Sequence, residues 1–302
     1  VSEIIFGPVT SRRFGISLGV DLSPEGKQCN YDCLYCELDK ARPVTQMQSV
    51  VPVDAVINAL SKALAQYPQA QYITLTANGE PTLYPHLKTL ISAIRALHVT
   101  QQILILSNGS TIMQPAIQEA LLEIDVVKLS LDCATQRCFC KLDRPAKGVD
   151  IEAIIEGMKA FSKRFARTLI LEVLVVKGVN DTKETFVALN EAIQAINPCR
   201  VDVGTIARPP AYNVQGVDVP TLHELAALIE HVPVAVPLGA HYTARYDFGE
   251  ETLLALLKKR PQNSEDVKKS FSDASKKCLE RLLKNGTVHQ ENVAGMMFYT
   301  TP

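Results

Sequence analysis

The sequence predicts an α/β fold: a partial (β/α)6 TIM-type barrel over residues 1–248, followed by a small winged-helix-like C-terminal module over residues 249–302. Two observations carry the barrel. Short β-branched apolar runs alternate with amphipathic helical stretches, and polar or glycine-bearing loops recur just after the runs, where such barrels place their sites. A change of character near Glu250, from alternating units to closely spaced helices and a terminal hairpin, carries the module.

Six strands are expected at residues 16–21, 72–77, 103–107, 126–132, 169–176 and 200–206. Helices fall between them. One runs over 53–66 after Pro52, one over 85–97, and one over 115–123 with Pro115 in its first turn. Two more cover 151–165 after Asp150 and 183–196 after the capping pair Asp181-Thr182. Six such units suit a doubly wound sheet or a partial barrel, and the strand-end residues favour the barrel. Beyond residue 250 a helix over 251–259 is broken by Pro261-Gln262-Asn263-Ser264, with Ser264 placed to cap a second. A third runs to Lys284 after Asp273 and ends at Asn285-Gly286. Residues 287–290 and 296–300 then read as a hairpin.

Composition is that of an ordinary globular chain, with 47% hydrophobic residues and a formal net charge of −1, which argues against a uniformly basic nucleic-acid binder. The N-terminal residues lack a secretory leader pattern and no apolar run approaches the length of a membrane span, so the expected location is the cytoplasm. Eight cysteines in such a setting read as metal ligands, catalytic groups or buried thiols.

Cys29-Asn30-Tyr31-Asp32-Cys33-Leu34-Tyr35-Cys36 is a C-x3-C-x2-C run in the loop after the first strand. Close spacing lets one loop place three thiolates on an iron–sulfur cube and leave one iron open. A structural zinc site wants a fourth ligand nearby; zinc and three unliganded thiols are the alternatives.

With Tyr35 before its last cysteine, this run resembles the cluster motif of the radical S-adenosylmethionine (radical SAM) superfamily, and the resemblance covers most of the chain. Asn78-Gly79-Glu80-Pro81, after the second strand, is similar to the family's Gly-Gly-Glu segment, which binds the methionine amino group; Asn78 departs from it. Asn108 follows the third strand, and Ser130 and Asp132 end the fourth, where the family often contacts ribose or carboxylate. Lys177 and Asn180 lie in a loop resembling one that passes near adenine. The resemblance implies a [4Fe–4S] cluster on Cys29, Cys33 and Cys36. It also implies S-adenosylmethionine on the open iron, a one-electron donor such as flavodoxin or ferredoxin, and cleavage to methionine and a 5′-deoxyadenosyl radical. Gly7-Pro8-Val9-Thr10-Ser11-Arg12-Arg13 and Ala207-Arg208-Pro209-Pro210 look like a group likened to the wyosine-base synthases of tRNA. Those carry a second cluster on upstream cysteines, and no cysteine precedes Cys29 here, so that activity does not transfer.

Strand periodicity adds an independent expectation. Side chains two apart share a face, so if Asp132 faces the cavity Lys128 lies beneath it and needs a carboxylate, Glu172 or Asp202. Lys128 is thus a candidate catalytic group or a structural ion-pair partner. Arg208 is a candidate for facing the cavity, and Arg12 and Arg13 for gripping an anion. Cys133, Cys138 and Cys140, with Cys199 as a fourth ligand, are candidates for an auxiliary cluster; plain thiols in a helical turn are the alternative. His86, His98 and His231 read as surface or packing residues, and His241 is undecided.

In the C-terminal module basic residues from Lys258 to Lys284 outnumber acidic ones, which fits RNA, tRNA especially, or equally a solvated face. Three functions follow: a radical SAM enzyme acting on RNA or a peptide, one acting on a small metabolite, and an iron–sulfur sensor binding DNA. The strand-end loops count against the sensor, which needs no cofactor cavity.

Overall fold

The computed structural model describes residues 4–11, 14–236, 245–259, 261–264, 267–268, 271–293 and 296–301. Arg12, Arg13 and His241 lie outside them. The main sheet has eight strands: β1 (Ile5–Ser11), β2 (Gly15–Asp21), β3 (Tyr72–Thr76), β4 (Gln102–Ser107), β5 (Val126–Ser130), β6 (Thr168–Val175), β7 (Arg200–Thr205) and β8 (Val234–Ala235). Their spatial order is their sequence order, with β1 antiparallel to β2 and every later pair parallel. A doubly wound sheet reverses its strand order at a switch point. This one never reverses, which suits a sheet curling as part of a barrel with its helices outside.

The helices are α1 (Val53–Gln66), α2 (Leu87–Ala96), α3 (Pro115–Leu121), α4 (Gln136–Leu142), α5 (Ile151–Arg164), α6 (Lys183–Ile196) and α7 (Val219–Ala226). Their starts follow local chemistry. Asp150 and Thr182 accept bonds from the first-turn amides of Glu152 and Thr185, and Pro115 opens α3.

Alternation along the strands separates core from cavity. Val20, Ile73, Leu75, Ile105, Val127, Leu129, Leu171, Val173 and Val203 join the helices in one large apolar core. The opposite face carries Thr74, Lys128, Glu172 and Asp202. Below that polar layer Leu104, Val126 and Ile170 pack with Phe14 and Tyr72 as an apolar plug.

Strand β1, with Gly7-Pro8 in its middle and a register shift between Phe6 and Val9, was not expected as a strand. It tolerates the proline because it is an edge. The C-terminal module comprises α8 (Glu250–Lys259), β9 (Gln262–Asn263), α9 (Asp273–Lys284), β10 (His289–Val293) and β11 (Met296–Thr300), with a three-stranded sheet ordered β10-β11-β9. Ser272, not Asp273, caps α9 through the Ser275 amide. The second helix expected here falls partly outside the described residues. The module's core unites Leu253, Leu257, Phe271, Leu282 and Phe298 with Tyr246, Phe248 and Val9 of β1, so it is built onto the edge of the main sheet. No helix among the described residues is long and apolar enough to cross a membrane.

Candidate active site

The loop leaving β2 turns the three cysteines over the C-terminal ends of the strands. Gln28 anchors it: its amide donates to the Asn78 carbonyl (2.7 Å), and its own carbonyl accepts from the Glu80 amide (3.0 Å). Gly79 lies between these bonds at φ +142°, and a Cβ there would sit 1.9 Å from the Gln28 carbonyl oxygen, so only glycine lets the two backbones meet. The Gln28 side chain ties the far end of the loop, accepting from the Gln48 and Ser49 amides and donating to the Ser49 carbonyl. Segments from elsewhere close on it: the Leu34 amide donates to the carbonyl of Leu142, the last residue of α4, and the Ala211 amide beyond β7 to the Cys36 carbonyl.

Cys29, Cys33 and Cys36 line one cavity of about 220 Å³, together with Thr76, Gly79, Glu80, Leu106, Ser107, Asn108, Lys128, Ser130 and Glu172. Burial pushes the Cys29 thiol up to about 12, with the Glu80 carboxylate adding to the shift, and raises Cys33 and Cys36 as well. Thiols this resistant to ionisation need bound cations to become ligands. Among the described residues no three Cys, His, Asp or Glu groups converge as they would round a single ion. Three thiols lining one cavity are a donor set that suits an iron–sulfur cube, whose corners are spread wider than the ligands of one ion. The residues present fit the group.

Glu80, buried at 1% exposure, is a knot. It accepts from the Thr82 amide (2.9 Å), the Thr82 hydroxyl (2.7 Å) and the Ser107 hydroxyl (2.7 Å) on one oxygen, and from the Asn108 amide (2.6 Å) on the other. Burial still holds its carboxyl above its ordinary value. The Asn108 amide group donates to Asn30 Oδ1 (2.9 Å) and contacts Cys29 Sγ (3.6 Å), joining the end of β4 to the cysteine loop.

Tyr35 donates its hydroxyl to Asp132 Oδ2 (2.5 Å), whose other oxygen accepts from the Leu174 amide (2.7 Å). Burial pushes Asp132 up to about 7, and neighbouring Glu172 adds to it. Tyr35 and Asp132 therefore flank the cavity wall with their polar atoms already engaged. Asn180 departs from its expected role. It is fully buried, its amide bonds the Asp132 and Leu174 carbonyls, and its Oδ1 accepts from the Val176 amide (2.7 Å). All its polar atoms serve the backbone of its own loop and the next, so it positions Asp132 from behind. Lys177 also departs: its side chain is exposed and its charge acts on Asp218, away from the cavity.

The expected ion pair under the site forms with both carboxylates. Lys128 Nζ is 2.9 Å from Glu172 and 3.2 Å from Asp202, which is also gripped by Arg200 Nε at 2.7 Å. Arg208 does not face the cavity unpaired but binds Glu37, next to Cys36.

The candidate auxiliary ligands do not gather. Cys133 is bonded to Cys138, Cys140 is exposed on α4, and Cys199 sits just before β7, its amide on the Leu169 carbonyl. Cys133 follows the other end of β5, so the sheet itself keeps Cys199 away. Sequence reasoning missed Asp143, a buried carboxylate that accepts from the Cys33 thiol (3.4 Å) and is raised by burial beside Asp132. It also missed Asn30 and Lys27. The only signal for Lys27 was a lone charge between Gly26 and the motif.

A family model described as the Radical SAM superfamily matches residues 26–189. A UPF0026 protein of Helicobacter pylori is 41% identical over 299 residues, covering 98% of this chain and 97% of its own. Among solved structures, a radical SAM methyltransferase from Sphaerobacter thermophilus superposes with a TM-score of 0.56 at 15% identity, covering 72% of this chain and 65% of that one. An archaeal TYW1 superposes at 0.49 and 14% identity, covering 74% of each.

Proposed function

Because the chain belongs to the radical SAM superfamily, we propose that it is an enzyme whose Cys29, Cys33 and Cys36 hold a [4Fe–4S] cluster and whose adjoining cavity binds S-adenosylmethionine. When bound, these cofactors supply reductive cleavage of the sulfonium, giving a 5′-deoxyadenosyl radical that abstracts hydrogen. The observation that carries this reading is that one cavity is lined by all three thiols and by Gly79, Glu80, Asn108 and Ser130 from three successive strand ends.

The chain's own residues have distinct tasks in this reading. Gly79 and Glu80 fix the wall that receives the methionine end, Glu80 by holding the backbone around it. Asn108 and Ser130 offer polar contacts nearer the sugar. Tyr35, Asp132 and Asn180 brace the wall between the cysteine loop and β6. Lys128 lies deeper, its Nζ within salt-bridge reach of both Glu172 and Asp202, where a polar substrate group would meet a charged floor. The apolar plug below keeps bulk water from the cavity floor.

For the substrate we favour RNA, or a peptide, presented by the basic C-terminal module, which we read as winged-helix-like. Lys277, Arg281 and Lys284 are exposed along α9. A small-metabolite substrate is the second reading, favoured by the charged pair on the cavity floor. Anaerobic reconstitution should load about four irons per chain, and added S-adenosylmethionine should change the reduced cluster's EPR spectrum. An unchanged spectrum at full loading contradicts the cofactor site. RNA affinity should fall by at least tenfold between about 50 and 200 mM salt; no binding at low salt leaves the metabolite reading.

A further inference from the structure

Lys27, two residues before the first cysteine, carries a charge that nothing in the established family chemistry of the site uses. Its side chain is only 7% exposed, and its Nζ makes no hydrogen bond. The nearest carboxylate oxygen, Asp32 Oδ1, is 3.6 Å away and is likewise without a hydrogen-bond partner. Asp32 is shared: its other oxygen accepts the Tyr212 hydroxyl (2.5 Å) and lies 3.5 Å from Arg144. Glu37, the next acid along the loop, is engaged by Arg208. The acids around Cys36 are thus each shared with an arginine, and the Lys27 ammonium has only a divided carboxylate, Asp32 at 3.6 Å, as its counter-ion. Asp32 lies between Cys29 and Cys33, so this contact holds the Lys27 ammonium against the cysteine loop itself.

We propose that Lys27 tunes the cluster held by Cys29, Cys33 and Cys36: its buried ammonium stabilises the reduced state and raises the reduction potential. The inference rests on the cluster reading above. A doubly positive cube with three thiolates has one net negative charge. One electron from a reduced carrier of the flavodoxin or ferredoxin class makes it two; the carrier is oxidised by one electron and no bond changes. A fixed positive charge in a water-poor setting favours the more negative state, and cluster potentials respond to local charge and to hydrogen bonds on sulfur. A buried ammonium also costs free energy unless compensated, and a carboxylate already shared with Arg144 compensates this one only in part.

The test is a dye-mediated redox titration of the anaerobically reconstituted full chain, read by the EPR signal of the reduced cluster. Lys27→Met should make one-electron reduction about tenfold less favourable, a downward shift of about 59 mV, while Lys27→Arg stays close to the unsubstituted chain. Asp32→Asn, which removes the compensating carboxylate, should shift the potential upward, and it decides the matter if Lys27→Met fails to hold iron. A fully loaded Lys27→Met with an unshifted potential overturns the inference, as does an unshifted Asp32→Asn. Failure of the unsubstituted chain to take up iron is a different result: it removes the cluster reading itself.

Discussion

The roof and the floor of the cavity are built on different physical principles. The roof, where the cysteine loop meets the ends of β3 to β6, is held by saturated hydrogen-bond networks centred on Glu80, Asn108, Asp132 and Asn180. The floor is held by charge: Lys128 and Arg200 against Glu172 and Asp202, over an apolar plug. Networks that spend every lone pair on the protein give rigidity and shape, as a cofactor shared by many reactions requires. Charges packed on a cavity floor give specificity toward one polar molecule. On the proposed function, the division puts cofactor at the roof and substrate at the floor.

The comparison can be broken first at the thiols. Cys33→Ser should abolish iron loading and all cofactor cleavage while leaving circular dichroism and the thermal transition near those of the apo chain. Full loading in that variant would remove Cys33 from the ligand set. Next, Glu80→Gln turns an acceptor of four bonds into a group with two donors of its own. It should cost about 2–3 kcal/mol of stability and weaken S-adenosylmethionine binding at least tenfold by calorimetry. Binding as tight as in the unsubstituted chain would show that Glu80 does not shape the roof.

On the floor, Lys128→Met removes the ammonium that Glu172 and Asp202 share and should cost about 3 kcal/mol. Its functional signature sharpens the comparison: release of 5′-deoxyadenosine without substrate should persist, while coupled turnover falls. Normal coupled turnover would leave Lys128 a structural group. The smallest effect concerns pH. Asp132 is raised from an unfolded value of 3.8 to about 7, so between those values the folded state binds more protons than the unfolded one. Stability of the apo chain therefore falls as pH rises through that window and is level above it. Asp132→Asn should lessen that decline, to which buried Asp143 and Glu80 also contribute, and gain several degrees relative to the parent across the window; parallel melting curves would refute the assignment.

Much of this was legible in sequence because periodicity is a geometric property of strands. The six main strands fell within a residue or two of expectation, and the Lys128 pair followed from period two across parallel neighbours. What escaped was set by contacts distant in sequence or by purely local bonding. β1 and the two-residue β8 carry too little pattern to declare themselves. Arg208 finds Glu37 across 171 positions, and no motif announces it. Asn180 read as a contact residue because polar loop residues often are, yet its bonds go to Val176, Leu174 and Asp132. Asp143 lies at the end of a helix read only as a turn, and folding alone brings it to Cys33.

The most direct measurement is quantification of 5′-deoxyadenosine and methionine after anaerobic reduction of the reconstituted chain with S-adenosylmethionine. Equal amounts of both, absent from Cys29→Ala, Cys33→Ala and Cys36→Ala, are predicted. A fully loaded, reduced cluster that binds S-adenosylmethionine and releases neither product would contradict the account.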